Sequence, residues 1–208
     1  MKRILFDPKQ CSLCGICETA CSLAKGGSLD ADRSRIRIET AGDEFPLRAA
    51  VCRHCEEPAC VTACMRGIIA KDEVSGQVFR KWEDCFRCAA CTAYCPVGAI
   101  VEDPALHAFV SCDLCGGDPL CVQVCPNGAL RFEDDGAASA WKRSRYAEQM
   151  FTGMLRTGAE EAPLPEVPDA QLARAAEIIS AKTSASVTTV DLKIRCEARK
   201  KAAREEGL

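Results

Sequence analysis

Short runs of alternating apolar and polar residues recur along this chain. Arg35-Ile36-Arg37-Ile38-Glu39 alternates with the two-residue period of a strand. Ile68-Ile69-Ala70-Lys71 and Gln77-Val78-Phe79-Arg80 flank a turn at Ser75-Gly76. Ala99-Ile100-Val101-Glu102, His107-Ala108-Phe109-Val110 and Ala129-Leu130-Arg131-Phe132-Glu133 follow. Such Val-, Ile- and Phe-bearing runs, parted by Gly, Asp or Pro, predict short hairpins. Beyond Asp134 the period becomes helical. Ala147, Met150, Phe151, Met154 and Leu155 share one face of a helix expected over 138–156. Three prolines and three glutamates predict an irregular linker over 158–168. Asp169 is expected to cap a helix through Lys182, with Leu172, Ala176 and Ile179 on one stripe. After a polar stretch over 183–189, Asp191 is expected to cap a last helix ending in Arg199-Lys200-Lys201.

Over this pattern lie 17 cysteines, 16 of them in four groups. The first is Cys11, Cys14, Cys17 and Cys21; the second is Cys52, Cys55, Cys60 and Cys64. The third is Cys85, Cys88, Cys91 and Cys95; the fourth is Cys112, Cys115, Cys121 and Cys125. Groups one and three have the Cys-x-x-Cys-x-x-Cys-x-x-x-Cys spacing of bacterial-type ferredoxins. There three close thiolates wrap one 4Fe–4S cube and the fourth reaches its neighbour. Groups two and four take a longer third step, from Cys55 to Cys60 and from Cys115 to Cys121. Pro58 and Gly116-Gly117-Asp118-Pro119 supply turn residues there. The three-residue step to each last cysteine reads as a helical turn. Cys95-Pro96-Val97-Gly98-Ala99 and Cys125-Pro126-Asn127-Gly128-Ala129 complete the ferredoxin wording. The chain is therefore expected to hold four 4Fe–4S clusters.

Other chemistries fit the spacing poorly. Structural zinc prefers two Cys-x-x-Cys pairs with a long spacer. Disulfides need an oxidising compartment. Met1-Lys2-Arg3 is followed by only Ile4-Leu5-Phe6 before Asp7, too short for the apolar core of a signal peptide. No apolar run approaches the length that spans a bilayer, so a cytoplasmic chain without a membrane span is expected. Radical chemistry at an open iron would want a group of three cysteines, and every group has four. No glycine-rich dinucleotide fingerprint is present; Gly26-Gly27 and Gly116-Gly117 read as turns. With two histidines no Ser/His/Asp constellation can be argued. His54, between two candidate ligands, reads as a surface neighbour or, more sharply, as a tuner of a cluster. Cys196 stands alone as a ligand, a redox thiol or an ordinary residue. Lys193 and Arg195 nearby would lower its pKa, but nothing pairs with it in sequence, and the ordinary reading is favoured.

Charge narrows the partners. Lys+Arg number 27 against 30 Asp+Glu, a formal net charge of −3. Four oxidised cubes with their thiolates would add about −8. A chain this acidic is not expected to bind nucleic acid. Aromatics are only 5% of residues, so metal–thiolate bonds must help hold the fold.

Residues 1 to about 135 resemble the four-cluster ferredoxin-like subunits of oxidoreductases built around molybdenum, tungsten or nickel. That group includes the small subunits of dimethyl-sulfoxide and polysulfide reductases, formate and carbon monoxide dehydrogenases, hydrogenase complexes, aldehyde oxidoreductase and benzoyl-CoA reductase. Cys52-Arg53-His54-Cys55-Glu56-Glu57-Pro58-Ala59-Cys60 and Ser111-Cys112-Asp113-Leu114-Cys115 are similar to its wording, and the order and spacing of all four groups make the resemblance specific. Ser22 and Met65 depart from it, standing where many relatives have proline.

The resemblance implies an α+β, tandem two-cluster ferredoxin-like fold over 1–135, with a mostly helical extension over 136–208. It implies crossed ligand sets: Cys11, Cys14 and Cys17 with Cys125; Cys112, Cys115 and Cys121 with Cys21; Cys52, Cys55 and Cys60 with Cys95; Cys85, Cys88 and Cys91 with Cys64. It implies a non-catalytic subunit relaying electrons one at a time between a large catalytic subunit and a second redox partner: a ferredoxin, a flavin subunit or copies of itself. A linker carrying amphipathic helices suits a docking arm, the favoured reading; packing onto the cluster region or a solvated tail is the plainer one. A free-standing polyferredoxin shuttle and a conducting filament joined through the C-terminal helices are the alternatives.

Overall fold

The computed structural model describes residues 1–40, 47–134, 136, 137, 139, 140, 143 and 164–205. The helix expected over 138–156 lies almost wholly outside the described residues, as does the first part of the linker expected over 158–168.

Among the described residues eight short strands pair into four two-stranded antiparallel sheets. The helices between them make the fold α+β. The strands are β1 (Lys2–Phe6), β2 (Ile36–Glu39), β3 (Arg48–Val51), β4 (Ile69–Lys71), β5 (Val78–Arg80), β6 (Ile100–Asp103), β7 (Ala108–Ser111) and β8 (Leu130–Asp134). Two of the expected hairpins form, β4 with β5 and β6 with β7. The strand expected around Ile36 pairs with β3, a strand the pattern did not announce. The run at Leu130 makes no hairpin. It pairs with β1 from the far end of the chain, Lys2 opposite Asp134 and Phe6 opposite Leu130.

That long-range pair makes the architecture nested. The first and fourth cysteine groups share one core with Ile4, Leu13, Ile36, Ile38, Val51, Leu114 and Leu130. The second and third share a smaller one with Ile69, Val78 and Ile100. Arg33 ties the halves together. Its guanidinium donates to Asp103 at 3.1 Å and to the Gly26 carbonyl at 2.7 Å. Asp103 is 1% exposed and also accepts the amides of Ala105 and Leu106.

Four helices carry the third cysteine of each group, and the first of them the fourth as well: α1 (Ile16–Gly26), α2 (Ala59–Ala63), α3 (Ala90–Ala93) and α4 (Leu120–Gln123). The C-terminal extension supplies α5 (Asp169–Lys182) and α6 (Thr189–Glu205). Leu172, Ala175, Ala176 and Ile179 make the buried stripe of α5, at the spacing of one helical face. They pack with Ile16, Ala20 and Leu23 of α1, Leu120 of α4 and Leu192 of α6. Burying side chains such as Leu172, Ile179 and Leu192 contributes roughly 1.5–3 kcal/mol each.

The expected caps are corrected. Pro168 precedes α5 as its N-cap, so Asp169 is the first helical residue, and its carboxylate takes the Lys193 ammonium at 2.7 Å. Thr188 precedes α6, and Asp191 sits three residues later as its partner. The Thr188 amide donates to Asp191 at 2.8 Å and the Asp191 amide to Thr188 Oγ1 at 3.2 Å, a reciprocal capping box. No helix among the described residues is long and apolar enough to cross a membrane.

Candidate metal centres

Each cysteine group opens with the same backbone device. The residue just before the second cysteine is left-handed in all four: Leu13 (φ 54°), His54 (φ 45°), Arg87 (φ 57°) and Leu114 (φ 55°). None is glycine, and such residues cost about 1–3 kcal/mol each unless the surroundings fix them. The left-handed step curls the loop so that an amide turns back onto the first sulfur. The Leu114 amide lies 3.4 Å from Cys112 Sγ. The amides of Leu13 and His54 likewise face Cys11 and Cys52.

The segments after the last cysteines explain the missing prolines. Cys95 and Cys125 are followed by Pro, and a carbonyl-to-amide bond closes each turn at Gly98 (3.2 Å) and Gly128 (3.3 Å). Proline presets the second turn position and glycine suits the fourth. Cys64 makes the same turn with Met65, closed at Gly67 at 3.0 Å. Gly67 has φ 65° against 64° for Gly98 and Gly128, so proline is dispensable there. At Cys21 the outcome differs. Ser22 lets the helix run on to Gly26, its hydroxyl donating to the Thr19 carbonyl at 3.1 Å. A proline at 22 would lack the amide and crowd the preceding turn.

The fold brings cysteines together across groups. Cys11, Cys14, Cys17 and Cys125 line one cavity. Cys64, Cys85, Cys88 and Cys91 line a second, of about 240 Å³. Burial raises the Cys60 thiol, Arg80 opposes the rise, and Cys95 and Cys55 add to it. Burial raises Cys121 well above its ordinary value, with Cys112, Cys21 and Cys115 adding to the effect. Every one of the sixteen grouped cysteines thus has neighbours of its own group or of the complementary one.

Burial dominates the electrostatics. It pushes the Cys11 thiol up to about 12 and Cys52 up to about 11. Cys64 is the exception among the less buried grouped cysteines: burial is the largest single effect and raises it, but the amides of Ile68, Arg66, Gly67 and Ile69 together outweigh it and lower it. Amides also approach Cys21 (Arg35, 3.3 Å) and Cys95 (Ala99, 3.4 Å). Buried thiols of this kind keep their protons unless metal displaces them, and binding iron releases those protons. Convergent thiols with amide donors aimed at sulfur are the donor set a 4Fe–4S cluster needs. Among the described residues no three His, Cys, Asp or Glu side chains gather as they would around a single ion. The thiolates of a cube serve separate irons and stand further apart. All 17 cysteines are free thiols.

Exposure divides the sites. Cys11, Cys14, Cys17, Cys21, Cys112 and Cys121 are buried, whereas in the second and third groups only Cys91 is, and Cys88 is exposed. Around Cys88 and Cys64 stand Met65 and Phe86, 88% and 68% exposed. Arg66 lies over the Phe86 ring at 4.0 Å.

Two residues are placed differently from the expectation. His54 is 1% exposed, not a surface neighbour. Its Nδ1 accepts the Val78 amide at 2.9 Å, which leaves the proton on Nε2. Cys196 is buried in the core that holds Cys14. The interaction between the two thiols is the main cause that lowers Cys14 to about 7, and it raises Cys196 instead of lowering it. Lys193 and Arg195 are engaged elsewhere, on Asp169 and on the Leu29 carbonyl. One turn beyond, Arg199 lines the cavity of Cys11, Cys14, Cys17 and Cys125 and donates to the Ile38 carbonyl at 2.6 Å. No sequence signal pointed to Arg199; its place follows from the docking of α6.

Comparison with known proteins gives a consistent picture. Residues 44–135 match the 4Fe-4S dicluster domain, a span that holds the second, third and fourth groups. The chain is 44% identical over 131 residues to the NADH-dependent phenylglyoxylate dehydrogenase subunit beta of Aromatoleum evansii, covering 62% of this chain and 29% of that one. It is 38% identical over 128 residues to the aliphatic sulfonate oxidoreductase, polyferredoxin-like subunit of Pyrococcus furiosus, covering 59% and 70%. It is 32% identical over 131 residues to the formate dehydrogenase iron-sulfur subunit of Haemophilus influenzae, covering 60% and 40%. The chain thus spans less than a third of the first of these relatives and less than half of the third.

Proposed function

This chain belongs to the 4Fe–4S dicluster ferredoxin family, and from that premise we propose that it is the four-cluster, non-catalytic relay subunit of a larger oxidoreductase. It is an iron–sulfur electron-transfer protein. The observation that carries the four-cluster reading is the left-handed residue repeated before the second cysteine of all four groups. Four loops built alike suit four like ligands.

In this reading residues 1–135 are a cluster domain made of two nested two-cluster units, and 136–208 are its extension. Each bound cluster supplies a one-electron couple. The chain's own residues do the rest. They place thiolates, aim amides at sulfur and keep water from the outer pair. The extension shares in this, since α6 covers Cys14 and Arg199 borders the same cavity. A docking role for the extension rests on the opposite side of α6, where Val190 and Ile194 are 62% and 60% exposed. A cytoplasmic setting suits 17 free thiols.

The catalytic partner is a molybdenum, tungsten or nickel subunit that meets the set of Cys64, Cys85, Cys88 and Cys91. That set has the one exposed thiol of the sixteen grouped cysteines, and Met65 and Phe86 offer apolar contact beside it. The second redox partner then exchanges electrons elsewhere on the chain. The test is capture of the large subunit from the native host by tagged chain. Met65→Asp with Phe86→Asp should abolish capture at full iron content. Unchanged capture moves the interface elsewhere, and a lone, partnerless chain favours the shuttle.

A further inference from the structure

Arg80 ends β5 in the middle of the inner half, opposite Ile69 in the hairpin. Its Nε donates to Ser111 Oγ at 2.9 Å, one residue before Cys112. The side chain borders the cavity of Cys64, Cys85, Cys88 and Cys91. It also borders a neighbouring cavity of about 210 Å³ lined by Cys112, Asp113, Arg35 and Trp82. One terminal nitrogen, Nη2, is buried with no hydrogen-bond partner. Among the described residues no carboxylate pairs with Arg80, although Arg33, Arg35, Arg37, Arg48 and Arg87 all have one.

A guanidinium cannot shed its charge. Half-buried, with one neutral hydroxyl accepting from it and a terminal nitrogen buried without a partner, it favours an anion nearby. The anions this chain offers are the cluster sites themselves. Burial raises the thiols of Cys52, Cys60 and Cys91, and Arg80 opposes the rise in all three. Its guanidinium and Cys91 also line the same cavity. Cys52 and Cys60 belong to one crossed set and Cys91 to the other.

We propose that Arg80 is the shared counter-charge of the two inner clusters and holds both their reduction potentials up. Reduction adds one negative charge to a cluster, and a fixed positive charge between two clusters favours that added charge in each. Of the outer sets, Cys112 shares the second cavity with Arg80, whereas the cavity of Cys11, Cys14, Cys17 and Cys125 is not bordered by it. The proposal rests on the crossed ligand sets given above.

The test compares wild type, Arg80→Gln and Arg80→Lys by potentiometric titration with paramagnetic resonance detection, alongside iron content. The inner signals are identified first as those lost in Cys60→Ser and Cys91→Ser. With iron retained, Arg80→Gln should lower the midpoints of these two signals by more than those of the other signals. Arg80→Lys, which keeps the charge and loses the Ser111 geometry, should restore them towards wild type. Unshifted inner signals in Arg80→Gln, or one equal shift of every signal, overturn the proposal. If Arg80→Gln loses iron, Arg80→Lys decides: near wild-type inner midpoints support the counter-charge, and midpoints lowered in the lysine variant overturn it. Wild-type protein with fewer clusters than four would defeat the four-cluster reading alone, since the Arg80 comparison needs only the two inner signals.

Discussion

Cys196 of α6 packs in one core with Cys14 of the first cysteine group, closed by α1, α5 and α6. The last helix of the described chain thus touches its first candidate cluster. In the crossed sets Cys14 is the ligand and Cys196 its neighbour. Cys196→Ala should therefore keep the full iron content, about sixteen per chain at four per cube. Loss of about four irons, with one resonance signal gone, would make Cys196 the ligand in place of Cys14.

The crossed sets make a sharper demand. Cys64 lies one group away in sequence from Cys85, yet both line one cavity. Cys64→Ser and Cys85→Ser should abolish the same resonance signal, and Cys60→Ser a different one. If Cys64→Ser and Cys60→Ser removed the same signal, each group would be holding its own cluster.

The link between the halves has a measurable weight. Asp103 is almost wholly buried and is the carboxylate partner of Arg33, whose side chain is 13% exposed. Removing one member of a buried pair strands the other, at a cost of about 3–5 kcal/mol. Asp103→Ala should lower holo-protein stability by that order in denaturant titration. A change below about 1 kcal/mol would place the pair among surface bridges.

The cap of α6 offers a gentler perturbation. Thr188→Ala removes the hydroxyl half of the capping box and should cost about 1 kcal/mol, read as a fall in the melting midpoint. The Asp191 carboxyl is held below its ordinary 3.8, chiefly by the Thr188 hydroxyl and amide. A depressed carboxylate contributes at neutral pH, and its contribution is lost as pH falls through the lowered folded value. The difference between Thr188→Ala and wild type should therefore narrow in acid.

What could be read from the sequence was local. Ile69–Lys71 and Val78–Arg80 announced a hairpin because the turn between them is short and their apolar residues recur at the right interval. The cysteine groups were legible because ligand spacing is set by the size of the cluster. Lys2–Phe6 gave no such signal: five residues with no neighbouring partner form a strand only because Leu130–Asp134 returns to meet them. The Arg48–Val51 strand was hidden in the same way. His54 looked exposed because it is polar, yet its ring fills space behind Val78 and pairs there. Asp169 and Asp191 were both read as caps from residue type alone. Pro168 and Thr188 precede them and take the position. The meeting of Cys14 with Cys196, and of Arg80 with three cysteine groups, depends on tertiary packing that no local window contains.

The four-cluster relay is tested most directly by iron, acid-labile sulfide and zinc measured on one anaerobically prepared sample. The account predicts about sixteen irons and sixteen sulfides per chain, four of each per cube, with negligible zinc. About four zinc ions without sulfide would contradict it and leave a zinc-stabilised interaction module.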